Sequence, residues 1–178
     1  MRKTPILLIL LLFFSCSTTV TSIRQDQAPV LSEDRGYVLL GIQTNRDLKS
    51  IWINGPQTIS LSSSDVKQGT NYLLVDLKAG VYKINKVYID NYVGFRFDNK
   101  DYWSFEVNPK QITYVGHLEI VQRGYYYFWT YAELVNRASE ALEFIEDKYP
   151  NLLSEYRVVY GGPGIDYLYE YLASGKKE

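Results

Sequence analysis

The chain has 178 residues, and its 19 Lys and Arg against 20 Asp and Glu give a formal net charge of −1. This near balance provides no basic face of the kind that binds nucleic acid. The single cysteine excludes an intramolecular disulfide framework, and the length suits one domain with a real hydrophobic core.

The N-terminal residues have the layout of a bacterial lipoprotein signal peptide. Two basic residues follow the initial Met, an uninterrupted apolar run covers residues 6–14, and the small Ser15 directly precedes Cys16. Because a transmembrane helix needs about 20 apolar residues, the run is too short to span a bilayer. The pattern therefore predicts a removable signal over residues 1–15, after which Cys16 carries the lipid.

The lipid interpretation also sets the predicted location. Ser17 follows Cys16, so there is no Asp at that position to retain the protein at an inner membrane. We expect an envelope protein on the outer membrane of a Gram-negative host, since a triacylated cysteine carries enough chains for stable anchoring. The alternative is an ordinary signal peptide with a cysteine nearby, although a lone thiol is a liability in an oxidising compartment.

Residues 16–35 are predicted to be the lipidated cysteine and a flexible tether. The segment is rich in Ser, Thr, Gln and Asp, contains Pro29, and shows no sustained hydrophobic period. Ordered structure is expected to begin near Gly36.

Residues 36–130 show the pattern of a β domain. Apolar and alternating segments are separated by turn signals such as Asn54-Gly55-Pro56. The strand candidates read GYVLLGIQT, LKSIWING, QTISLS, NYLLVDL, VYKINKVYI, VGFRF, DYWSFEV and QITYVGHLEIVQ. Short strands at this spacing predict an antiparallel β-sandwich of about seven to eight strands, in a mainly β (α+β) chain.

The hydrophobic period changes to that of helices after the β segment. Thr130 and Glu133 fit a capping box, S/T-x-x-E, at a helix start, and apolar residues then recur at three- and four-residue steps. Pro150 is expected to close this helix, and a last short helix is expected over residues 166–173. Residues 131–178 are thus predicted to form a C-terminal helical segment packed on the sandwich.

Two segments, LVDLKAGVYKI and FEVNPKQITYVGHLEI, carry a resemblance to known proteins. The chain resembles small bacterial envelope lipoproteins of unknown function with a prealbumin-like β-sandwich, and its first segment is similar to PEGA-type surface domains. Gly80 stands at a turn that a side chain would resist, and Gly116 indicates close packing or a bulge. The resemblance implies a fold and an envelope location, and it brings no catalytic residues.

The sequence offers little for catalysis or metal binding. His117 is the only histidine, which excludes a multi-histidine metal site, and regular alternation would place it on one face with Val115 and Glu119. A His-Glu pair could bind a metal or move a proton, but a half-exposed polar strand face is the simpler interpretation. The acidic turn at residues 98–101 fits a hairpin as well as a calcium site. We predict no catalytic residue, no metal and no cofactor, and a hydrolase that uses His117 is the least favoured alternative.

Aromatic residues are the compositional oddity, with 17 Tyr, 7 Phe and 3 Trp. The run YYYFW ends at Trp129, and strand alternation would place Tyr125, Tyr127 and Trp129 on one face. Either the C-terminal helix covers this face, or the face binds a glycan or another protein, since Tyr and Trp suit half-wet interfaces. Trp52 and Trp103 are the other candidates for such a surface.

These observations predict a lipid-anchored envelope protein that acts as a non-catalytic structural or protein-interaction module. The alternative is a glycan- or peptidoglycan-binding module that uses exposed Tyr and Trp. The expected partners are the membrane, through the N-terminal lipid, and an envelope protein or glycan. An exposed β edge could also accept a partner's strand, but the sequence does not show which strand forms the edge.

Overall fold

The computed structural model describes residues 18–27, 30–98, 101–124 and 129–174. The predicted signal segment, Cys16, Tyr125 and Tyr127 lie outside the described residues. The strands are β1 (Thr18–Val20), β2 (Arg35–Thr44), β3 (Ser50–Asn54), β4 (Ile59–Ser62), β5 (Gly69–Lys78), β6 (Gly80–Tyr88), β7 (Gly94–Arg96), β8 (Ser104–Val107), β9 (Ile112–Arg123), β10 (Trp129–Val135) and β11 (Val158–Tyr160). The helices are α1 (Ala138–Lys148), α2 (Pro150–Glu155) and α3 (Tyr167–Ser174).

The strands form two mixed sheets. Sheet A has six strands in the order β1-β4-β3-β6-β7, with β8 also paired to β6, and sheet B has five in the order β10-β9-β2-β5, with β11 paired to β9. The mainly β class with C-terminal helices is therefore confirmed. The purely antiparallel arrangement is wrong, because β1 runs parallel to β4, and β2 and β11 run parallel to β9. Parallel neighbours are joined by long crossovers, which local alternation does not reveal.

The two sheets bury one face each in a shared core. Sheet B contributes Leu40 and Leu118 to this cluster, and sheet A contributes Ile51 and Ile84. A second cluster lies on the outer face of sheet B, where Tyr37, Leu39 and Tyr114 pack against the helices, which contribute Ile145 of α1 and Leu152 of α2. Strand β2 is thus buried on both faces, which explains its nearly continuous apolar sequence.

Residues 18–27, which we call the N-terminal strap, lie against the domain. The strap begins as β1 on the edge of sheet A and crosses to sheet B, where the Ile23 N–H donates to the Leu74 carbonyl at 2.8 Å. The strap therefore joins the edges of the two sheets.

Side chains fasten the strap and the residues after it to the helices. The carboxylate of Asp26 accepts from the backbone N–H groups of Asn151 and Leu152 at 2.8 and 3.1 Å, and Leu31 is buried in the second cluster. The expectation of a free tether is wrong for the strap. Its polar side chains bond to distant backbone groups, so they leave no periodic signal.

Residues 129–135 form strand β10, whereas the sequence predicted a helix start. Thr130 pairs with Gln122, and Glu133 pairs with Glu119, so the capping box is wrong. Helix α1 begins only at Ala138, whose N–H donates to the Asn136 carboxamide oxygen at 3.0 Å.

The later helix boundaries agree with the sequence. Helix α1 ends at Lys148, directly before the turn that leads to Pro150, and α3 occupies nearly the predicted last segment. Pro150 is the first residue of α2, where its missing N–H costs nothing. No helix among the described residues is long and apolar enough to cross a membrane.

Candidate functional site

A β-bulge in β9 decides which side chains share the outer face of sheet B. Along β2, Leu39 pairs with Tyr114 but the next residue, Leu40, pairs with Gly116. Gly116 has φ +116°, a conformation that glycine adopts without a steric penalty. Of the two roles expected for Gly116, close packing or a bulge, the register shift shows the bulge, and it turns Tyr114 and His117 toward the same side.

His117 is buried on that side, with 0% of its surface exposed. Its ring lies over Gly41, where an added Cβ would overlap the imidazole, and makes an edge contact with Tyr72 at a centroid distance of 5.1 Å. Val115 lies on the opposite side, in the core between the sheets. The predicted half-exposed face shared with Val115 is therefore wrong, because one extra residue reverses the alternation.

The Tyr114 hydroxyl links this histidine to the start of α1. It accepts from the backbone N–H of Arg137 at 3.0 Å and lies 2.8 Å from His117 Nδ1. Which of these two groups donates depends on the tautomer of the imidazole, whose other ring nitrogen is Nε2. That Nε2 atom has no hydrogen-bond partner among the described residues.

Charged side chains surround the buried ring. Arg137 forms ion pairs with Glu119 and, at 3.2 Å, with Glu140. Burial lowers the pKa of His117 from 6.5 to about 4, and this effect exceeds the opposing influence of the two carboxylates. The imidazole is neutral at pH 7, and its enclosure keeps it away from any substrate in solution.

This cluster fits a structural junction better than a reactive centre. Both carboxylates are occupied by Arg137, and burial raises the pKa of the Tyr114 hydroxyl. Within the described part of the chain, no three His, Cys, Asp or Glu side chains are grouped so that they could hold a metal ion. The arrangement joins β9 to α1.

Two exposed aromatic residues lie at the other end of the β9-β10 hairpin. Trp129 is 76% exposed and Tyr131 is 55% exposed, and their alternate positions place both on one face of β10. They pair with Arg123 and Val121 on β9. These four residues, with Glu119 and Thr130, line a cleft of about 600 Å³, which we call the aromatic cleft.

The C-terminal helices leave Trp129 uncovered. The aromatic run was expected either to be covered by the C-terminal helix or to stay exposed, and Trp129 is exposed. Tyr125 and Tyr127 lie outside the described residues. The helices instead pack on Tyr37 and Tyr114, toward the opposite end of sheet B.

The other two tryptophans do not join this surface. Trp103 is 8% exposed and stacks on Phe97 at a centroid distance of 3.9 Å within the core, so its predicted surface role is wrong. Trp52 is partly exposed on β3 of sheet A, where its Nε1 donates to Ser50 Oγ at 3.2 Å. Trp52 and Trp129 thus belong to different sheets and do not form one surface. The number of aromatic residues in the sequence does not reveal their positions in the fold.

Sequence reasoning missed Tyr131, Arg123 and Val121 as members of the cleft. The signal was present as alternation on both sides of Gly124, with apolar or aromatic residues facing each other across a hairpin. Because Thr130 was interpreted as the start of a helix, the sequence did not predict strand β10. The pairing of β10 with β9, which forms the cleft, was therefore not predicted either.

A second cleft of about 640 Å³ lies between β11 and α3. Its buried acid, Asp166, accepts from the Asn136 Nδ2 at 2.8 Å and from the Tyr169 N–H at 3.0 Å. The Tyr160 hydroxyl donates to the Pro163 carbonyl at 2.9 Å. These polar groups are engaged in holding α3 in place, so the aromatic cleft is the better candidate for binding.

In comparisons with known proteins, no family model, no curated protein and no solved structure matches this chain. The fold and the surface define a mainly β protein with two sheets and an exposed aromatic cleft on the edge of one of them.

Proposed function

We propose that this chain is a lipid-anchored protein of the bacterial envelope that acts as a non-catalytic interaction module through its aromatic cleft. The exposure of Trp129 and Tyr131 beside Arg123 is the observation that carries the proposal. Aromatic and Arg side chains are enriched in the contact regions of protein interfaces. The cleft combines both in one concave surface.

The N-terminal pattern supports the anchor in this proposal. A lipid on Cys16 attaches the protein to the outer membrane, and the resemblance to envelope lipoproteins with a prealbumin-like β-sandwich points to the same location. The two-sheet architecture is compatible with that resemblance.

The strap makes the proposed anchor short. β1 begins at Thr18, two residues after Cys16, and the Thr18 N–H donates to the Thr58 carbonyl at 3.0 Å. Two residues span at most about 7 Å. A lipidated Cys16 would therefore hold this end of sheet A close to the bilayer surface.

The aromatic cleft lies at the opposite end of the molecule. Near Thr58, the Gln57 side chain accepts from the Lys78 N–H at 3.0 Å, and Lys78 pairs with Arg35 at the start of β2. Strand β9 begins beside the same end of β2 and reaches Arg123 after eleven more residues. At about 3.3 Å per residue this separation is about 35 Å, so the cleft is presented away from the membrane.

Site-specific crosslinking in cells tests the proposal. A photoreactive benzoylphenylalanine is placed at Tyr131, and the control carries it at Tyr92, which is 95% exposed in the turn after β6. A discrete protein adduct that forms only from position 131 supports the proposal. Adducts of equal yield from both positions, or none from position 131, contradict a protein-binding cleft.

Binding of a glycan is the second candidate function. Trp129 and Tyr131 present two aromatic side chains about 7 Å apart along one strand, next to the charged Arg123. Such a strip suits a sugar chain, which offers flat apolar ring faces and hydroxyl groups. Protection of the Trp129 fluorescence by purified envelope polysaccharide, absent in Tyr131→Ala, would favour this function.

A further inference from the structure

Strand β10 forms an edge of sheet B among the described strands. It pairs with β9 along its whole length, from Trp129 opposite Arg123 to Val135 opposite His117. In an antiparallel pair, successive residues direct their backbone N–H and C=O groups alternately toward the partner strand and away from it. Half of the β10 residues therefore present these groups to the open side.

The side chain of Tyr102 shows which residues these are. Its hydroxyl donates to the Leu134 carbonyl at 3.1 Å and accepts from the Leu134 N–H at 3.2 Å. Leu134 thus directs its backbone groups away from β9, and by alternation so do Ala132 and Thr130. The backbone groups of Ala132 and Thr130 that face this side have no hydrogen-bond partner in the described part of the chain.

We propose that the open edge of β10 at Thr130 and Ala132 binds an extended segment of a protein partner as an added strand. This inference rests on the proposed function and specifies its partner. An extended peptide carries its own row of backbone donors and acceptors at the spacing of a strand, so it can satisfy both residues at once. Tyr102 closes the edge at Leu134 and sets where the added strand ends.

The aromatic cleft would then select side chains of the bound strand. Trp129 and Tyr131 project from the outer face of β10 on either side of Thr130. Cross-strand neighbours on one face lie about 4.5–5.5 Å apart, within contact of aromatic rings. We therefore expect the cleft to favour partner segments that carry apolar or aromatic residues at the alternate positions facing Trp129 and Tyr131.

The opposite edge of sheet B is already met by another segment of the chain. Leu74 on β5 receives the Ile23 N–H at its carbonyl, and its own N–H donates to the Ser22 hydroxyl at 3.0 Å. The strap thus satisfies both outward backbone groups of that edge at Leu74. Further along β5, Thr70 faces the same open side as Leu74 and supplies a matched control.

The test selects binders from a display library of random linear peptides on the lipidated full-length protein in detergent. Ala132→Pro removes the outward N–H and leaves the bonds to β9, a substitution that edge strands tolerate. Thr70→Pro makes the same change at the other edge of the sheet. We expect Ala132→Pro to weaken the selected peptides about tenfold, the effect of losing roughly one hydrogen bond, and Thr70→Pro to leave their affinity unchanged.

Amide hydrogen exchange in the unsubstituted protein provides a second readout that does not depend on the variants folding. Bound peptide is expected to slow exchange at the Thr130 and Ala132 amides. Equal affinity for Ala132→Pro and the parent, unchanged exchange at both amides, a loss confined to Thr70→Pro, or a library without binders each overturn strand addition. If Tyr131 still gives its protein adduct in cells, the proposed function survives that failure, whereas loss of the adduct removes both.

Discussion

The hydroxyl oxygen of Tyr114 lies 2.8 Å from Nδ1 of His117. Residues three positions apart on a regular strand point to opposite faces, so the contact exists only because the bulge at Gly116 inserts one residue. Since the same hydroxyl accepts from the Arg137 N–H, the three groups tie sheet B to α1. Several properties of the protein depend on this junction.

We expect the free energy of unfolding to decrease as the pH falls from 6.5 to 4. Burial lowers the pKa of His117 in the folded protein to about 4, against 6.5 when exposed, so the unfolded state binds more protons in this window. The stabilising contribution of the neutral His117 to the free energy of unfolding is fully present above pH 6.5 and is lost by pH 4. It amounts to on the order of 3 kcal/mol.

Urea unfolding at a series of pH values measures this effect. The variant His117→Gln has no imidazole to titrate, and subtracting its curve from that of the parent isolates the contribution of His117. A variant whose stability falls as steeply as that of the parent between pH 6.5 and 4 would contradict the assignment.

The packing of His117 on Gly41 predicts a specific cost for a single methyl group. Gly41→Ala places its Cβ inside the space of the imidazole ring and should lower the free energy of unfolding by about 1–3 kcal/mol, as overpacking does. In the His117→Ala background the same substitution should cost much less, because the ring is gone. Chemical denaturation of the four proteins of this double-mutant cycle checks the coupling, and equal costs in both backgrounds would disprove it.

The strap should contribute measurably to stability through Asp26. Asp26→Ala removes the acceptor for two N–H groups at the start of α2, so we expect a loss of about 1 kcal/mol, typical of a helix N-terminal acceptor. Gln25→Ala changes an exposed neighbour in the same strap and should stay within about 0.5 kcal/mol. Thermal unfolding of both variants decides whether the strap is attached in solution, and equal small effects would indicate that it is not.

The tryptophans should differ in their access to solvent. Trp129→Phe should remove most of the fluorescence that acrylamide quenches, because Trp129 is 76% exposed. Trp103→Phe should instead remove emission that is protected from the quencher, since Trp103 stacks on Phe97 in the core. The reverse assignment would show that the aromatic cleft is closed in solution.

The lipidated protein in vesicles should keep Trp129 away from the bilayer. With a nitroxide quencher carried in the lipid chains, we expect no difference in quenching between the parent and Trp129→Phe, because about 35 Å of strand separates the two ends. A Trp introduced by Pro56→Trp, in the exposed turn between β3 and β4 near the strap, serves as the positive control. Strong quenching of Trp129 would contradict the proposed orientation.

Much of the fold could be predicted because hydrophobic period and turn residues are local signals. The strand at QTISLS, the turn at Asn54-Gly55-Pro56 and the helix that ends before Pro150 follow from residues a few positions apart. Close packing or a bulge at Gly116 was also expected, since a glycine inside a strand pattern is typical of either one. The prediction of a helix start at Thr130 was wrong because Thr130 and Glu133 fit a helix cap and a strand equally well.

The sequence by itself determined the class of the protein, its β-rich and helical regions, and the signal-like N-terminus on which the lipid proposal depends. Only the tertiary structure decided that Trp103 is core while Trp129 is exposed, that His117 is enclosed, and that the strap is paired. Alternation assigns a residue to one of two faces but does not say which face another element will cover. One inserted residue exchanges the two faces of a strand. The pairing of parallel strands and the contacts of the strap depend on residues that are distant in the chain.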